Sequence, residues 1–309
     1  MNYESIIKET DSLLREIKSL RPLEKSELAQ LREYYRIGLT YSSNAIEGNS
    51  LTETETKIVV EDGLTVSGKP MRDHLEAIGH AEAFKLLYDA VPSARISEET
   101  IKKLHHLFYR GIDEENAGKY RTVKVVISGT DYLPPFPGQV PGLMKSLVER
   151  IPEIEKNHPV VAAADLHTEF VNIHPFVDGN GRVARLLMNM FLIKYGYPVV
   201  IIPPVRRKEY ISAVMSSNSG DFNGIRTLVA EMSRESCRDY LRMFSEKRAK
   251  IISPTEDMEN PDPIPLKQPH RRKLNMSQAE FQSQIDRVRE DMEQRKKQTR
   301  NGEGQGLSI

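Results

Sequence analysis

The stretch from residue 174 to residue 185, HPFVDGNGRVAR, limits the fold of this chain more than any other segment. It sets Gly179 and Gly181 at the start of an apolar helix, where glycines leave backbone N–H groups free to face an anion and the helix dipole adds its attraction. Asp178 beside such a turn would repel an anion unless it binds a hard cation that bridges phosphates. The segment therefore predicts a phosphate-binding turn that uses magnesium.

The helices on either side of this turn are predicted from their apolar pattern. Residues 183–193 form a strongly apolar run, and the positions of Arg182 and Arg185 near its first turn allow both side chains to face the same anion. Residues 162–173 have helical apolar spacing, which brings His174 to the rim of the turn. Because the pKa of a free histidine is about 6.5, His174 is suited to act as a base near neutral pH.

The same stretch matches the signature HPFx(D/E)GNGRxxR at every defined position, and the chain therefore resembles the Fic-domain proteins. The resemblance implies a mostly α Fic fold, a helical bundle with a β-hairpin flap over the active site. Most members with the full motif are AMP transferases, which move AMP from ATP to a Ser, Thr or Tyr hydroxyl of a target protein and release pyrophosphate. Carried over by position, the resemblance implies that His174 is the general base and Asp178 the magnesium ligand. It implies that Gly179, Asn180 and Gly181 form the anion hole. Arg182 and Arg185 would then bind the phosphates.

A second segment lies far upstream of the motif. Residues 25–46 are predicted to form a long helix that stops at Gly48. Glu47 in its last turn opposes the helix dipole, so it predicts a cationic partner such as an arginine. Thr52 and Glu55 form a capping box that begins the next helix and holds the Glu47 turn between two helices.

The segment from Ser43 to Gly48 also resembles the (S/T)xxxE(G/N) inhibitory motif of many Fic proteins, here in the same chain and ahead of the core. This resemblance implies that Glu47 pairs with Arg185 and blocks the γ-phosphate, so that ATP binds unproductively. Ser43 and Glu47 are then regulatory residues. The alternative is that both side chains face solvent at a helix end.

Residues 118–135 are predicted to form a β-hairpin, because a run of β-branched residues precedes a turn around Gly129. The resemblance implies that about 122–134 is the flap, which holds the target protein by strand pairing. Main-chain pairing tolerates varied side chains, so the sequence does not identify the target. An ordinary surface hairpin predicts the same strands.

Two residues further along the chain fall where the family contacts the nucleoside. Tyr210 lies in a pattern that resembles RxxYxxA, and Asn218 opens an Asn-x-Gly-Asp turn. The resemblance implies that both contact the nucleoside part of ATP. The alternatives are a tyrosine in the core and an asparagine that only forms the turn.

Composition excludes several classes of partner. The 309 residues carry a formal net charge of +0, which argues against a broad nucleic-acid or membrane surface. The N-terminus is polar and charged, so we expect no signal peptide, and residues 188–205 are too interrupted to span a membrane. The single Cys237 suits a reducing compartment, so we expect a cytoplasmic protein. The remaining histidines lack zinc-ligand spacing and are expected to be structural or exposed.

The organisation follows from changes in composition. We predict an N-terminal helical region with the inhibitory helix at 1–95, the catalytic core with a closing helix at 96–250, a proline-rich linker at 251–275 and a charged tail with a candidate short helix at 276–309. The family resemblance implies a homodimer.

Other activities remain open at this stage. Glu47 is also compatible with the removal of AMP from modified protein, where it would position water. A Doc-like phosphotransferase carries a lysine in the anion hole, so Gly181 argues for the AMP reaction, and nothing in the sequence indicates phosphocholine transfer. A third hypothesis is a nucleotide-gated interaction protein without essential catalysis, against which the presence of both His174 and Asp178 weighs.

Overall fold

The computed structural model describes residues 3–20, 22–89, 96–127, 130 and 132–252, without the side chains of 245–252. The described part is built from α-helices, and its longest connection lies between Tyr109 and Val140. The helices in chain order are α1 (Tyr3–Ser19), α2 (Lys25–Ile46), α3 (Glu53–Lys57), α4 (Met71–Asp89), α5 (Glu98–Tyr109), α6 (Val140–Ile154), α7 (Pro159–Ile173), α8 (Asn180–Lys194), α9 (Arg207–Ser217) and α10 (Asn223–Ile252). A π-helical turn, Ile58–Asp62, continues α3, and two 3-10 turns, Pro137–Gln139 and Pro204–Arg206, precede α6 and α9.

The centre of the fold is the pair α7 and α8. The two helices pack on each other, α10 packs on α7, and α1 packs on α10. Most side chains of α7 and α8 are buried, which explains their nearly continuous apolar sequences. Phe176 in the loop between them is fully buried and stacks on the His105 ring with centroids 3.8 Å apart, as expected of a residue that anchors the loop to the core.

The predicted upstream helix is present with the predicted bounds. Helix α2 runs from Lys25 to Ile46, and Gly48 follows with a positive φ of 97°, a backbone conformation that favours glycine. The capping box also forms: the backbone N–H of Thr52 donates to Glu55 Oε2 at 2.8 Å, and the backbone N–H of Glu55 donates to Thr52 Oγ1 at 3.2 Å. The Glu47 turn therefore lies between two fixed helices.

The segment predicted to be the flap crosses the end of α7. Its described residues contain no regular strand, and Ser128, Gly129 and Asp131 of the predicted turn lie outside the described residues. The hairpin therefore stays a prediction. The Tyr132 hydroxyl donates to the carbonyl oxygen of Asn172 at 2.9 Å, which fixes one side of the segment on α7.

The chain divides into two units, Met1–Ser253 and Pro254–Ile309. The predicted boundary at residue 95 falls inside the first unit and stays a prediction. The predicted tail helix and nearly all of the proline-rich linker lie outside the described residues. Among the helices of the described part, none combines the length and the hydropathy that a bilayer span requires.

Candidate active site

His174 ends helix α7 in an unusual backbone conformation. Its φ is 51°, which makes it the single non-glycine residue with positive φ in the described part of the chain. The imidazole Nδ1 lies 3.2 Å from the carbonyl oxygen of Val171, so Nδ1 carries the proton and Nε2 keeps its lone pair. Burial lowers the pKa of His174 to about 4, which keeps the ring neutral near pH 7.

Asn180 closes the turn that follows His174. Its Oδ1 accepts from the backbone N–H of Phe176 and its Nδ2 donates to the carbonyl oxygen of the same residue, both at 2.9 Å. The Asn180 side chain is therefore used within the turn, and only its backbone N–H, at the first position of α8, is available to an anion.

Arg121 holds the turn from the side of the predicted flap. Its Nε donates to the carbonyl oxygen of His174 at 2.7 Å, and its backbone N–H donates to the carbonyl oxygen of Pro175 at 2.9 Å. A further guanidinium nitrogen donates to Pro135 at 2.6 Å. With a third bond from Nη1 to the carbonyl oxygen of Val123 at 3.2 Å, Arg121 joins the turn after His174 to both ends of the segment that crosses it. Sequence reasoning missed this role because the partners of Arg121 are backbone carbonyls.

Both glycines of the predicted anion hole have close neighbours, but only Gly179 is also held in a backbone conformation that favours glycine. Gly179 has a φ of 77°, and a Cβ there would lie 2.6 Å from the Phe108 ring. A Cβ on Gly181 would lie 2.2 Å from Oε1 of Glu47 and 3.2 Å from Nη1 of Arg185. The Glu47 carboxylate therefore lies directly against the N-terminal turn of α8, where the helix dipole favours an anion.

Arg185 binds the end of α2 with almost all of its donors. Its side chain is 1% exposed, and Nη2 lies 2.8 Å from Oε1 of Glu47. Nε donates to the Ser43 hydroxyl at 2.9 Å and Nη2 donates to the Ser43 carbonyl at 2.7 Å. Burial would raise the pKa of the Glu47 carboxyl, but the guanidinium groups of Arg185 and Arg182 outweigh it and hold this pKa below its usual range. The expected pair between Glu47 and Arg185 is thus present and charged.

Tyr210 provides the last partner of Arg185. Its hydroxyl accepts from Nη1 of Arg185 at 3.1 Å and lies 2.9 Å from Nε2 of His167. The side chain is buried, and burial raises its pKa, so the hydroxyl stays protonated. Asn218, in contrast, is exposed and caps α9. The structure thus brings Tyr210 to the arginine, whereas no contact joins Asn218 to these residues.

Arg182 does not share an anion with Arg185 in this structure. Its Nη1 lies 3.0 Å from Oε1 of Glu76, and its Nη2 lies 3.2 Å from Oδ1 of Asp178. Arg72 on α4 forms an ion pair with Oδ2 of the same Asp178 carboxylate. Glu76 and Arg72 were missed by sequence reasoning because they lie about one hundred residues from their partners and carry no local motif.

His105 belongs to the scaffold of the turn. Its Nδ1 accepts from the backbone N–H of Gly118 at 2.9 Å, so its Nε2 carries the proton and donates to the carbonyl oxygen of Asp178 at 3.1 Å. Burial lowers the pKa of His105 to about 4 and that of His80 to about 3, so both are neutral. The histidines outside the motif are structural where they are buried, as the sequence predicted.

The carboxylate at the turn fits a cation that binds together with phosphates. Within the described residues, no three His, Cys, Asp or Glu side chains converge to form a metal site. Magnesium is usually held by one or two carboxylates together with substrate phosphates rather than by a cage of protein ligands. The Asp178 carboxylate, in the turn between α7 and α8, suits that kind of site.

The comparisons with known proteins agree with the geometry. A profile of the Fic/DOC family matches residues 95–192. A protein adenylyltransferase Fic from Drosophila grimshawi is 35% identical over 209 residues, which cover 67% of this chain and 43% of that protein. One from Nematostella vectensis is 34% identical over 233 residues, which cover 72% of this chain and 54% of that protein. The chain thus spans about half the length of these curated relatives.

Solved structures show the same fold. Fic-1 of C. elegans (residues 134–508) is 30% identical with a TM-score of 0.72, over 79% of this chain and 73% of that one. A Fic domain containing signaling protein from Bacteroides thetaiotaomicron is 26% identical with a TM-score of 0.65, over 82% of this chain and all of that one. Because the family profile matches and a 30% identical Fic protein shares the fold over 73% of its chain, this chain belongs to the Fic/DOC family.

Proposed function

We propose that the chain is an autoinhibited protein AMP transferase, which moves AMP from ATP to a Ser, Thr or Tyr hydroxyl of a target protein and releases pyrophosphate. The names of the curated relatives support the reaction class. The observation that carries the proposal is the Glu47 carboxylate against the N-terminus of α8, 2.8 Å from Arg185, in the position that suits a phosphate.

In this proposal His174 is the general base. Its neutral ring and free Nε2 lone pair suit it to accept the proton of the target hydroxyl as that oxygen attacks the α-phosphate. The bond from the α-phosphate to the pyrophosphate breaks as the new ester bond forms. Phosphoryl chemistry of this type depends mainly on positioning and on neutralisation of charge.

The phosphates would be bound by the turn itself. The backbone N–H groups of Gly179, Asn180 and Gly181 at the start of α8 would form the anion hole. Arg185 would neutralise a phosphate once Glu47 leaves, and Arg182 would add its positive charge while it stays bonded to Glu76. Asp178 would hold Mg²⁺, which supplies positive charge to the phosphates when bound. Tyr210 and Asn218 would contact the nucleoside in the same proposal.

Ser43 and Glu47 would act as the restraint. A triphosphate that uses Arg185 fully would have to displace Glu47, because the two anions compete for the same guanidinium and the same helix terminus. While Glu47 stays, the γ-phosphate is excluded and ATP binds in an unproductive pose. The wild-type chain is therefore expected to be nearly inactive.

The target protein would bind along residues 122–134. Val123, Val126 and Leu133 in this segment are 55%, 80% and 76% exposed, so their apolar side chains are available to a partner. The expected homodimer and cytoplasmic location belong to the same proposal and rest on the family resemblance and on composition. Size-exclusion chromatography with light scattering tests the dimer.

The test compares wild type, Glu47→Gly, and Glu47→Gly combined with His174→Ala. Each is incubated with Mg²⁺ and ATP labelled on the α-phosphate, with and without lysate, and label on protein is measured. We expect strong labelling, including of the enzyme itself, only with Glu47→Gly. Labelling of the double variant at the same level would contradict the role of His174, and equal labelling by wild type would contradict the restraint.

A second candidate is the removal of AMP from modified protein. The specific observation in its favour is the charged Glu47 carboxylate, 32% exposed, which suits an interaction with an attacking water. In this test, protein that the Glu47→Gly variant has labelled with AMP is purified and incubated with wild-type enzyme, and the release of AMP is measured. Release of AMP by wild type but not by Glu47→Gly supports this reaction, and the absence of labelling and of release in all variants favours nucleotide-gated binding.

A further inference from the structure

The Asp178 carboxylate is already occupied by positively charged groups. Oδ1 accepts from the backbone N–H of Gly179 at 2.6 Å and from Nη2 of Arg182 at 3.2 Å. Oδ2 accepts from Nη2 of Arg72. Both oxygens of Asp178, the proposed metal ligand, thus have hydrogen-bond partners, and each of them accepts from an arginine.

Arg72 is held at this place by a fixed carboxylate. Its Nε donates to Oε1 of Glu76 at 3.1 Å. Glu76 is 6% exposed and also accepts from Arg182 at 3.0 Å and from Nδ2 of Asn49 at 3.0 Å. The anchor of Arg72 is therefore buried and well bonded, and it lies outside the motif.

The Arg72 side chain is itself 55% exposed. Its terminal nitrogen can leave Asp178 for water while Nε keeps its bond to Glu76. Leaving costs little, because an exposed ion pair contributes only a small part of the stability. Arg72 thus has two available positions, one on Asp178 and one in solvent.

A divalent ion and Arg72 exclude each other at Oδ2 of Asp178. A carboxylate oxygen has two lone-pair sites, so the competition at Oδ2 is electrostatic. An ion coordinated to Oδ2 and the Arg72 guanidinium would be two positive charges held at contact distance by the same atom, and they would repel each other. We propose that Arg72 occupies the cation position on Asp178 in the nucleotide-free chain, so that a divalent ion binds Asp178 only after Arg72 has moved away.

This inference rests on the metal role of Asp178 in the proposed function and adds a residue that sets the affinity for the ion. The test measures free Mn²⁺ by electron paramagnetic resonance as it is titrated into Glu47→Gly protein saturated with a non-hydrolysable ATP analogue. Arg72→Met keeps the aliphatic stem and removes the donors and the charge. We expect its Kd for Mn²⁺ to be about fivefold lower than in the Glu47→Gly parent, or about 1 kcal/mol.

Lys69→Met is the matched control. It removes one positive charge from the same region, where Lys69 pairs with Glu55 and makes no contact with Asp178. We expect its Kd for Mn²⁺ to stay close to that of the parent, because Lys69 is already paired with Glu55 and salt at about 0.15 M screens exposed charges beyond about 8 Å. Equal effects of Lys69→Met and Arg72→Met would overturn the inference, since general charge would then explain both.

The remaining outcomes separate this inference from the proposed function. An unchanged Kd in Arg72→Met, in a parent that binds Mn²⁺ and loses it with Asp178→Asn, overturns the role of Arg72 and leaves the metal role of Asp178 intact. If Asp178→Asn binds Mn²⁺ as well as the parent, both the metal role and this inference fail. AMP transfer is measured separately and does not enter this readout.

Discussion

Gly181→Ala tests whether the Glu47 carboxylate truly lies against the start of α8. The added Cβ would lie 2.2 Å from Oε1 of Glu47, far inside van der Waals contact, so the carboxylate must move away. The backbone at Gly181 is helical and accepts alanine without strain. The substitution therefore has two opposite effects on stability, and only one of them depends on Glu47.

The size of each effect follows from the structure. Gly181 is the second residue of α8, and within a helix alanine is favoured over glycine by up to about 1 kcal/mol. Displacing Glu47 breaks its charged hydrogen bond to the buried Arg185, which we set at about 2 kcal/mol because the Glu47 side chain is 32% exposed. Gly181→Ala should thus lower the free energy of unfolding by about 1 kcal/mol in the wild-type chain. In a Glu47→Ala background, Gly181→Ala should raise the free energy of unfolding by about 1 kcal/mol.

The assay is urea unfolding of the four proteins of this cycle without nucleotide. The coupling free energy between the two sites is expected to be about 2 kcal/mol. A coupling near zero, with Gly181→Ala having the same effect in both backgrounds, would refute the position of Glu47 and with it the proposed restraint.

Asn180→Ala removes both hydrogen bonds to Phe176, so urea unfolding should show a loss of about 2 kcal/mol, and an unchanged value would contradict its role in closing the turn. His80 and His167 have pKa values of about 3 in the folded chain and about 6.5 unfolded, so the unfolded chain binds more protons below pH 6.5 and stability is lost as pH falls toward 3. Unfolding at pH 5 should cost about 2 kcal/mol less per histidine than at pH 7, and equal values would refute their burial as neutral rings. Arg121→Lys cannot keep three carbonyl partners, so limited proteolysis within 122–134 should accelerate while far-ultraviolet circular dichroism stays constant, and unchanged cleavage would count against this anchor.

The helices and their ends were predictable because their signals are local. The bounds of α2, the stop at Gly48 and the capping box of Thr52 and Glu55 follow from neighbours within one helical turn. The ion pair between Glu47 and Arg185 was predicted in another way. The evidence was a carboxylate in an unfavourable position at the C-terminal end of a helix, together with the family resemblance. The local argument required a cation, and the resemblance identified which one.

The supports of the turn were not predictable from local sequence. Arg72 and Glu76 lie one turn apart on the same face of α4, and nothing near them in sequence indicates that they meet Asp178 and Arg182. The common anion expected for Arg182 and Arg185 also depended on spacing alone. Spacing allows two side chains to face one ligand, but their partners depend on which carboxylates the tertiary fold brings near.

The burial of α2 decides how the proposed restraint can be released. Tyr35, Leu39 and Ile46 of this helix are 4%, 1% and 0% exposed, so lifting the helix off the core would uncover several large apolar side chains, each worth about 2 kcal/mol. Moving the Glu47 side chain alone breaks one ion pair, the one with Arg185. An inhibitor tethered in this way is present at a fixed effective concentration that dilution does not change. The activity of this chain should therefore be controlled by events that shift a few residues around Glu47 and should not depend on the dissociation of an inhibitory partner.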